Sequence, residues 1–163
     1  MGLRRLPQNM INKIAAGEVI ERPAAVVKEL VENSIDAGAT SIEVHILDGG
    51  QSLISVADDG CGMSVKELSL SVERHATSKL PDDDLINIKY LGFRGEALPS
   101  IGAVSQLEII SRTEDAENGW RIKVEGGFIT DPKPIAASRG TLVKVSNLFF
   151  ATPARLKFLK SAR

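Results

Sequence analysis

Four polar side chains recur at helical spacing within residues 24–37, a segment that is predicted to form a long helix. Glu29, Glu32, Asn33 and Asp36 stand at i, i+3, i+4 and i+7, so they share one helix face. Mg²⁺ prefers oxygen ligands of this kind, and a nearby glutamate can orient a water molecule for attack on a phosphate. A solvated polar face is the alternative. No lysine lies within the stripe to offset its negative charge, which favours the metal.

The same segment predicts where the helix is bounded and which side is buried. Pro23 suits the first helical position, and Gly38 suits the position just beyond the last turn. The face opposite the polar stripe is apolar and is expected to pack on the core. It consists of Val27, Leu30, Val31 and Ile35.

A glycine-bearing turn at residues 57–63 lies between a predicted strand and a predicted helix. Gly60 and Gly62 would let a flat ligand approach the backbone, and a tight turn without a ligand is the alternative. Asp58, at the end of the strand, can accept a hydrogen bond from an exocyclic amine. Adenine offers such a donor where guanine offers a carbonyl, so Asp58 would select ATP over GTP.

A second glycine-bearing segment, residues 91–98, leads into another predicted helix. Free N–H groups at a helix N-terminus attract phosphate, but this feature alone is weak evidence. The chain contains neither the G-x-x-x-x-G-K-[ST] loop nor the G-x-G-x-x-G loop. A nucleotide would therefore be held by another kind of site.

The order of the predicted elements indicates the fold class. Consecutive hairpin-like strands predict a mixed, mostly antiparallel sheet, and helices on one face of it would give an α+β two-layer sandwich. Further helices are predicted at 64–72, where Ser64 and Glu67 have capping-box spacing, at 92–104 and after Pro153. Strands are predicted at 41–47, 53–57, 106–112, 120–125, 128–131 and 141–145.

Composition limits the class of protein. A chain of 163 residues, 43% of them hydrophobic, fits one domain with a core. The net charge of −1 makes the whole chain a weak attractor of nucleic acid or membrane. The single cysteine, Cys61, excludes an internal disulfide, and neither a signal peptide nor an apolar span of about 18 residues is present. We expect a soluble, intracellular protein.

Three other features are less specific. His45 and His75 do not form a metal-ligand pattern, and Cys61 is expected to pack within its turn. The final segment carries four basic residues and no acidic residue among them. They would either form a solvated helix face or contribute to a DNA-binding groove. They are Arg155, Lys157, Lys160 and Arg163.

Taken in order, the motifs match one ATPase superfamily. The chain resembles the ATP-binding domain shared by gyrase, the ninety-kilodalton chaperone, sensor histidine kinases and MutL. Within that superfamily its similarity to the MutL family of DNA mismatch repair proteins is close. The similar segments are residues 11–19, 22–23, 28–34, 36–39, 58–62, 75–79, 92–98, 140–141 and 148–155. The resemblance implies a Bergerat-type ATP-binding fold.

The resemblance also implies a role for each matching residue. Glu29 would be the general base that activates water, Asn33 would bind Mg²⁺, and Asp58 would recognise adenine. The base pocket would be completed by Gly60, Gly62 and the hydroxyl group of Thr141. The phosphates would be contacted by Thr77, Ser78 and Lys79 in a flexible lid, and by Arg94, Gly95, Glu96, Ala97 and Leu98, largely through backbone N–H groups. The individual roles of Glu32 and Asp36 stay open.

The chain departs from the family pattern in small ways and in length. Pro99 replaces a small residue, and Asp59 and Ala151 each replace an asparagine. Family members continue into a second domain that supplies a lysine to the γ-phosphate, and then into a C-terminal dimerisation domain. Residues 1–163 would thus form a truncated N-terminal ATP-binding domain. Because phosphoryl transfer depends on placed charge, we expect weak ATP binding and poor turnover.

The function implied by the resemblance is a magnesium-dependent ATPase switch. ATP would close the lid, pair two protomers, and recruit a mismatch-recognition protein and a repair nuclease or helicase. The full-length protein would bind DNA, in the cytoplasm beside a bacterial nucleoid or in a eukaryotic nucleus. One alternative is a nucleotide-binding interaction module without turnover. Another is a topoisomerase or chaperone relative.

Overall fold

A computed structural model describes residue 20 and residues 22–73 and 97–150 of the chain. The helices are α1 (Pro23–Asp36), α2 (Val65–Ser71) and α3 (Ala97–Ala103). The strands are β1 (Ile42–Leu47), β2 (Leu53–Asp58), β3 (Gln106–Arg112), β4 (Gly119–Glu125), β5 (Phe128–Ile129), β6 (Lys133–Ile135) and β7 (Gly140–Ser146). A 3₁₀ turn, Asp48–Gly50, lies between β1 and β2. The helix predicted after Pro153 lies outside the described residues.

The seven strands form one sheet, and every described pair in it is antiparallel. The strand order is β1-β2-β7-β3-β4-β5, and β6 also pairs with β4. The strand that comes last in the described sequence, β7, therefore lies between β2 and β3. The predicted α+β class with a mostly antiparallel sheet is confirmed.

One face of the sheet carries the hydrophobic core. Alternate residues of β2, β7, β3 and β4 point to this face, and the register aligns them in three rows. The rows are Ile54–Val145–Leu107–Val124, Val56–Val143–Ile109–Ile122 and Asp58–Thr141–Ser111–Trp120. The first two rows are buried and apolar. The third row, which we call the polar row, brings Asp58, Thr141 and Ser111 side by side at one end of the sheet.

Helices cover the core face, as the two-layer prediction requires. α1 packs on β2, whereas α2 and α3 pack on β4. α1 begins at Pro23, and Gly38 follows its last turn with a φ of 75°. α2 begins with the predicted capping box, because the Ser64 hydroxyl accepts from the Glu67 N–H and the Glu67 carboxylate accepts from the Ser64 N–H.

The buried face of α1 differs from the predicted one. Val26, Leu30 and Ser34 are buried, at i, i+4 and i+8. Ile35 is 62% exposed, so the prediction that it packs on the core is wrong. The apolar stripe is narrower than the sequence suggested, and a serine occupies the place that a third apolar residue would take.

The polar stripe of α1 also needs one correction. The Lys28 ammonium lies 3.8 Å from the Glu32 carboxylate, at i and i+4 on the exposed side of the helix. Glu32 therefore has a cationic neighbour on its own helix, although the stripe itself contains no lysine. An exposed pair of this kind contributes little to stability. Glu32 thus differs from Glu29 and Asn33, whose side chains are half-buried.

The far edge of the sheet contains a strand that the sequence pattern did not indicate. β4 pairs with β5 near its C-terminal end and with β6 near its N-terminal end. β6 is only three residues long and contains Pro134, which lacks an N–H and is tolerated in strands mainly at sheet edges. β5 is shorter than the predicted 128–131 strand. Among the described helices, none is long and apolar enough to cross a membrane.

Candidate functional site

The carboxylate of Asp58, at the end of β2, is held by three donors. The Ser34 hydroxyl on α1 donates to Oδ2 at 2.7 Å, and the N–H groups of Gly60 and Thr141 donate to Oδ1 at 2.9 and 3.3 Å. The two N–H groups occupy both lone pairs of Oδ1, so Oδ2 retains the lone pair that a ligand can use. Asp58 is half-buried, so the residue is partly accessible to solvent.

Two glycines let the neighbouring backbone close around this carboxylate. Gly62 has a φ of 70°, and a Cβ there would overlap the carbonyl group of Arg112 at the end of β3. Gly140 has a φ of 114°, and a Cβ there would overlap the carbonyl group of Asp58. Only glycine tolerates both conditions. The ends of β2 and β3 and the start of β7 consequently meet at one place.

Ser111, on β3, connects these strand ends through its buried hydroxyl group. Its Oγ lies 2.8 Å from the Met63 amide nitrogen, 3.1 Å from the Gly140 carbonyl oxygen and 2.8 Å from the Thr141 Oγ1. The side chain is 1% exposed. Ser111 therefore fixes both the Gly62–Met63 turn and the hydroxyl group of Thr141, which the family resemblance assigns to the adenine site.

The rim of the site is held by Arg139. Its Nε donates to the Gly60 carbonyl oxygen at 3.2 Å, and its Nη1 lies 3.5 Å from the Glu114 carboxylate. Gly60 itself is buried. Arg139 thus ties the turn after Asp58 to the loop between β3 and β4.

Asp59, next to the predicted adenine contact, fastens the turn to the loop between α1 and β1. Its Oδ1 accepts from the N–H groups of Thr40 and Ser41 at 2.8 and 2.9 Å, and its Oδ2 accepts from the Thr40 hydroxyl at 2.6 Å. The Thr40 hydroxyl, followed by the Ser41 and Thr40 N–H groups, lowers the pKa of Asp59 from 3.8 to about 2. The family's usual asparagine can keep the two N–H contacts but cannot carry this charge.

The lowered pKa of Asp59 predicts an acid-dependent stability difference. A depressed carboxylate pKa stabilises the folded state above the unfolded value of 3.8, and this contribution is lost as pH falls toward about 2. The thermal midpoint of the wild type should exceed that of Asp59→Asn at pH 7, and the gap should close between pH 4 and pH 2. Thr40→Val should show a smaller version of the same effect, since it removes only one donor. A gap that does not vary with pH would contradict the assignment.

Glu29 and Asn33, the predicted base and metal ligand, lie one turn apart on α1. Both side chains are half-buried, at the edge of the buried face rather than on the exposed side. Asn33 directly precedes Ser34, whose hydroxyl contacts Asp58. α1 therefore carries the predicted base and the predicted metal ligand on the same helix as Ser34, which binds the carboxylate of Asp58. Within the described part of the chain, no cluster of three His, Cys, Asp or Glu residues could hold a metal.

Some predicted site residues cannot be located in this structure. Ala97 and Leu98 begin the described part of α3, and Leu98 packs against the core. The other predicted phosphate contacts lie outside the described residues. They are Thr77, Ser78, Lys79, Arg94, Gly95 and Glu96.

Sequence reasoning missed Ser34 and Ser111, which hold the predicted residues in place. Ser34 lies in the 28–34 segment that resembles the family, but only its neighbours Glu29 and Asn33 were given a role. Its side chain is 3% exposed. A serine on the buried face of a helix was the available signal, because a buried hydroxyl needs a partner. Ser111 carried no such signal, since its neighbours depend on the register of β3 with β7.

Sequence comparison assigns the class of protein. Residues 20–133 match the family described as histidine kinase-, DNA gyrase B-, and HSP90-like ATPase. The match includes α1, β2 and the turn that follows Asp58, and the sandwich described above is the fold that the resemblance implied. The chain belongs to this ATPase family.

Within the family, the chain is similar to MutL. It is 63% identical to the DNA mismatch repair protein MutL of Paramagnetospirillum magneticum and 64% identical to that of Azorhizobium caulinodans, over all 163 residues in both cases. The chain spans 27% and 26% of the lengths of these relatives. The predicted likeness to MutL is confirmed.

Solved structures give the same result. The MutL ATPase domain of Aquifex aeolicus complexed with ADP matches with a TM-score of 0.65 and 38% identity, over 86% of this chain and 48% of that one. The N-terminal domain of a DNA repair protein matches with a TM-score of 0.74 and 31% identity, over 96% of this chain and 46% of that one. The predicted ATP-binding fold is confirmed.

Proposed function

We propose that this chain is the ATP-binding and slowly ATP-hydrolysing switch domain of a MutL-type mismatch repair protein. The observation that carries the proposal is the Asp58 carboxylate. Its Oδ1 is saturated by two backbone donors, its Oδ2 accepts from the Ser34 hydroxyl and keeps one lone pair, and the glycines beside it let the strand ends pack closely around it. An acceptor fixed in this way suits the 6-amino group of adenine and opposes the carbonyl of guanine.

The reacting end of the nucleotide is assigned to α1. Glu29 acts as the general base that orients water toward the γ-phosphate, and Asn33 supplies an oxygen ligand to Mg²⁺. Mg²⁺ usually keeps several waters and binds substrate phosphates, so one or two protein oxygens are sufficient. The half-buried amide of Asn33 fits that requirement. When bound, Mg²⁺ would neutralise charge that develops on the phosphates.

The phosphates are assigned to two segments that follow this helix in the sequence. Thr77, Ser78 and Lys79 form the lid contacts, and residues 94–98 wrap the triphosphate through backbone N–H groups. A helix entry of this kind supplies several N–H donors that have no partner within the helix.

The whole protein's activity goes beyond this chain, which spans about a quarter of its curated relatives. The proposal is that residues 1–163 form the N-terminal ATP-binding domain, that ATP pairs two such domains, and that the pair recruits a mismatch-recognition protein and a repair nuclease or helicase on DNA. The proposed location is the bacterial cytoplasm, near the nucleoid. On their own, residues 1–163 should bind ATP weakly and turn it over poorly, because the resemblance assigns a γ-phosphate contact to a second domain.

A nucleotide-binding module without turnover is the second candidate function. It would use the same Asp58 pocket and shift its conformation on binding. The half-buried position of Glu29, in contrast to the exposed Glu32, favours the hydrolytic function, because a pure sensor has no need for a base at that place.

The function is tested by titrating the chain with β,γ-imido ATP, in the presence and absence of MgCl₂. Saturable binding that MgCl₂ tightens is expected, and Asn33→Ala should remove most of the MgCl₂ effect while leaving weak nucleotide binding. Phosphate release from ATP by the same chain should be slower than from the full-length protein. No binding at millimolar analogue would contradict the nucleotide site, and an unchanged MgCl₂ effect in Asn33→Ala would contradict the metal assignment.

A further inference from the structure

The Ser111 hydroxyl group has a single proton and three neighbours. The Met63 N–H can only donate to it, and the Gly140 carbonyl oxygen can only accept from it. If both of those bonds are made, the proton of Ser111 is used. The contact with Thr141 Oγ1 at 2.8 Å then requires Thr141 to donate its proton to Ser111. One assignment alone satisfies all three contacts together.

This assignment determines how Thr141 meets a ligand. With its proton directed to Ser111, the Thr141 oxygen has only lone pairs left, so toward the site it is an acceptor. Thr141 is half-buried, and its neighbour in the polar row is Asp58, whose Oδ2 is also an acceptor. This end of the site therefore offers two adjacent acceptors. Ser111 is 1% exposed and does not itself reach a ligand.

We infer that Ser111 is a positioning residue for base selection. By fixing Thr141 as an acceptor, it makes the site favour a purine with a 6-amino group over one with a 6-carbonyl group. This inference rests on the proposed nucleotide site. When Ser111 is absent, the Thr141 hydroxyl is released, and it can rotate and donate to a carbonyl oxygen. Selectivity between the two purines should then decrease, even though Asp58 is unchanged.

The test compares the affinities of ATP and inosine triphosphate, in which a carbonyl replaces the 6-amine and N1 carries a proton. An acceptor Thr141 that faced N1 would favour inosine triphosphate, so a ratio that rises in Ser111→Ala would overturn the inference. The wild type should prefer ATP. Ser111→Ala should lower the ratio of the two affinities roughly tenfold, the size expected from one net hydrogen bond. Ser111→Thr keeps a hydroxyl group and should keep the ratio. In a Thr141→Val background, Ser111→Ala should change the ratio no further, because the group that it orients is gone.

Ser105→Ala is the matched control. Ser105 is also fully buried, donates to the Ile101 carbonyl oxygen at 2.6 Å, and stands before β3 at the opposite end of that strand from Ser111. It should lower the thermal midpoint by a similar amount and leave the ratio unchanged. A purely structural Ser111 would behave in the same way.

The outcomes separate two failures. Equal loss of both affinities in Ser111→Ala would overturn the inference and leave the nucleotide site intact. A wild type that binds neither nucleotide would overturn the proposed function, and the inference with it. If Ser111→Ala does not fold, the same two affinities are measured for Thr141→Val. Removal of the oriented hydroxyl should also lower the ratio of the ATP affinity to the inosine triphosphate affinity. An unchanged ratio would overturn the inference.

Discussion

Glu29→Ala is expected to stop ATP hydrolysis and to preserve ATP binding. General-base catalysis typically contributes 10²–10⁴-fold, so turnover should fall by at least about 100-fold. Binding should persist because the predicted purine contacts come from Asp58 and its neighbours, not from this carboxylate. Single-turnover phosphate release measures the first quantity, and titration with β,γ-imido ATP measures the second.

The matched control for Glu29→Ala is Glu32→Ala on the same helix. Glu32 is exposed and pairs with Lys28, and an exposed pair of this type contributes little, so turnover should stay within about twofold of the wild type. Normal hydrolysis by Glu29→Ala would show that the base is assigned wrongly. Loss of analogue binding by Glu29→Ala would instead make Glu29 a binding or structural group.

Asp58→Asn is expected to weaken ATP binding by about 100-fold, because a hydrogen bond to a charged acceptor is lost and two donors come to face each other. Oδ1 accepts from the N–H groups of Gly60 and Thr141, which cannot accept a hydrogen bond, so the asparagine oxygen must occupy that position. The amide nitrogen then takes the place of Oδ2 and meets the adenine amine as a second donor. The Ser34 hydroxyl can turn to accept from it, so the fold should survive.

The preference between nucleotides makes this prediction specific. Asp58→Asn should lose more affinity for ATP than for GTP, since its amide can donate to a guanine carbonyl. Titration of both nucleotides and a thermal melt are the measurements. Asp131→Asn, at an exposed aspartate beyond β5, should change neither affinity. An equal loss for both nucleotides would mean that Asp58 acts on folding and not on base recognition.

Local sequence signals predicted most of the fold. Pro23 and Gly38 bounded α1, the capping box of Ser64 began α2, and alternation located β3 at its observed limits. These features depend on a few neighbouring residues, so one sequence is sufficient to read them. β6 escaped because three residues containing a proline have no alternation to detect.

The support of the site could not be predicted in the same way. Asp58 was predicted as a purine contact from its place after a strand and before glycines, and helical spacing gave the polar stripe from which the family resemblance singled out Glu29. Ser111 depends on the pairing of β3 with β7, which joins residue 111 to residue 141, and no local pattern states that register. The prediction for Ile35 failed for a related reason, because the width of the apolar stripe depends on what packs against α1.

The central position of β7 has a consequence for how this chain folds as it is made. Leu53 pairs with Ser146, and Asp58 accepts a hydrogen bond from the Thr141 N–H. β2 therefore cannot complete its pairing within the sheet until β7 has left the ribosome. At roughly 5–20 residues per second, that delay lasts several seconds. During it, the buried edge of β2 is an unpaired template for other chains. Translation speed between these strands is therefore expected to influence the yield of folded protein.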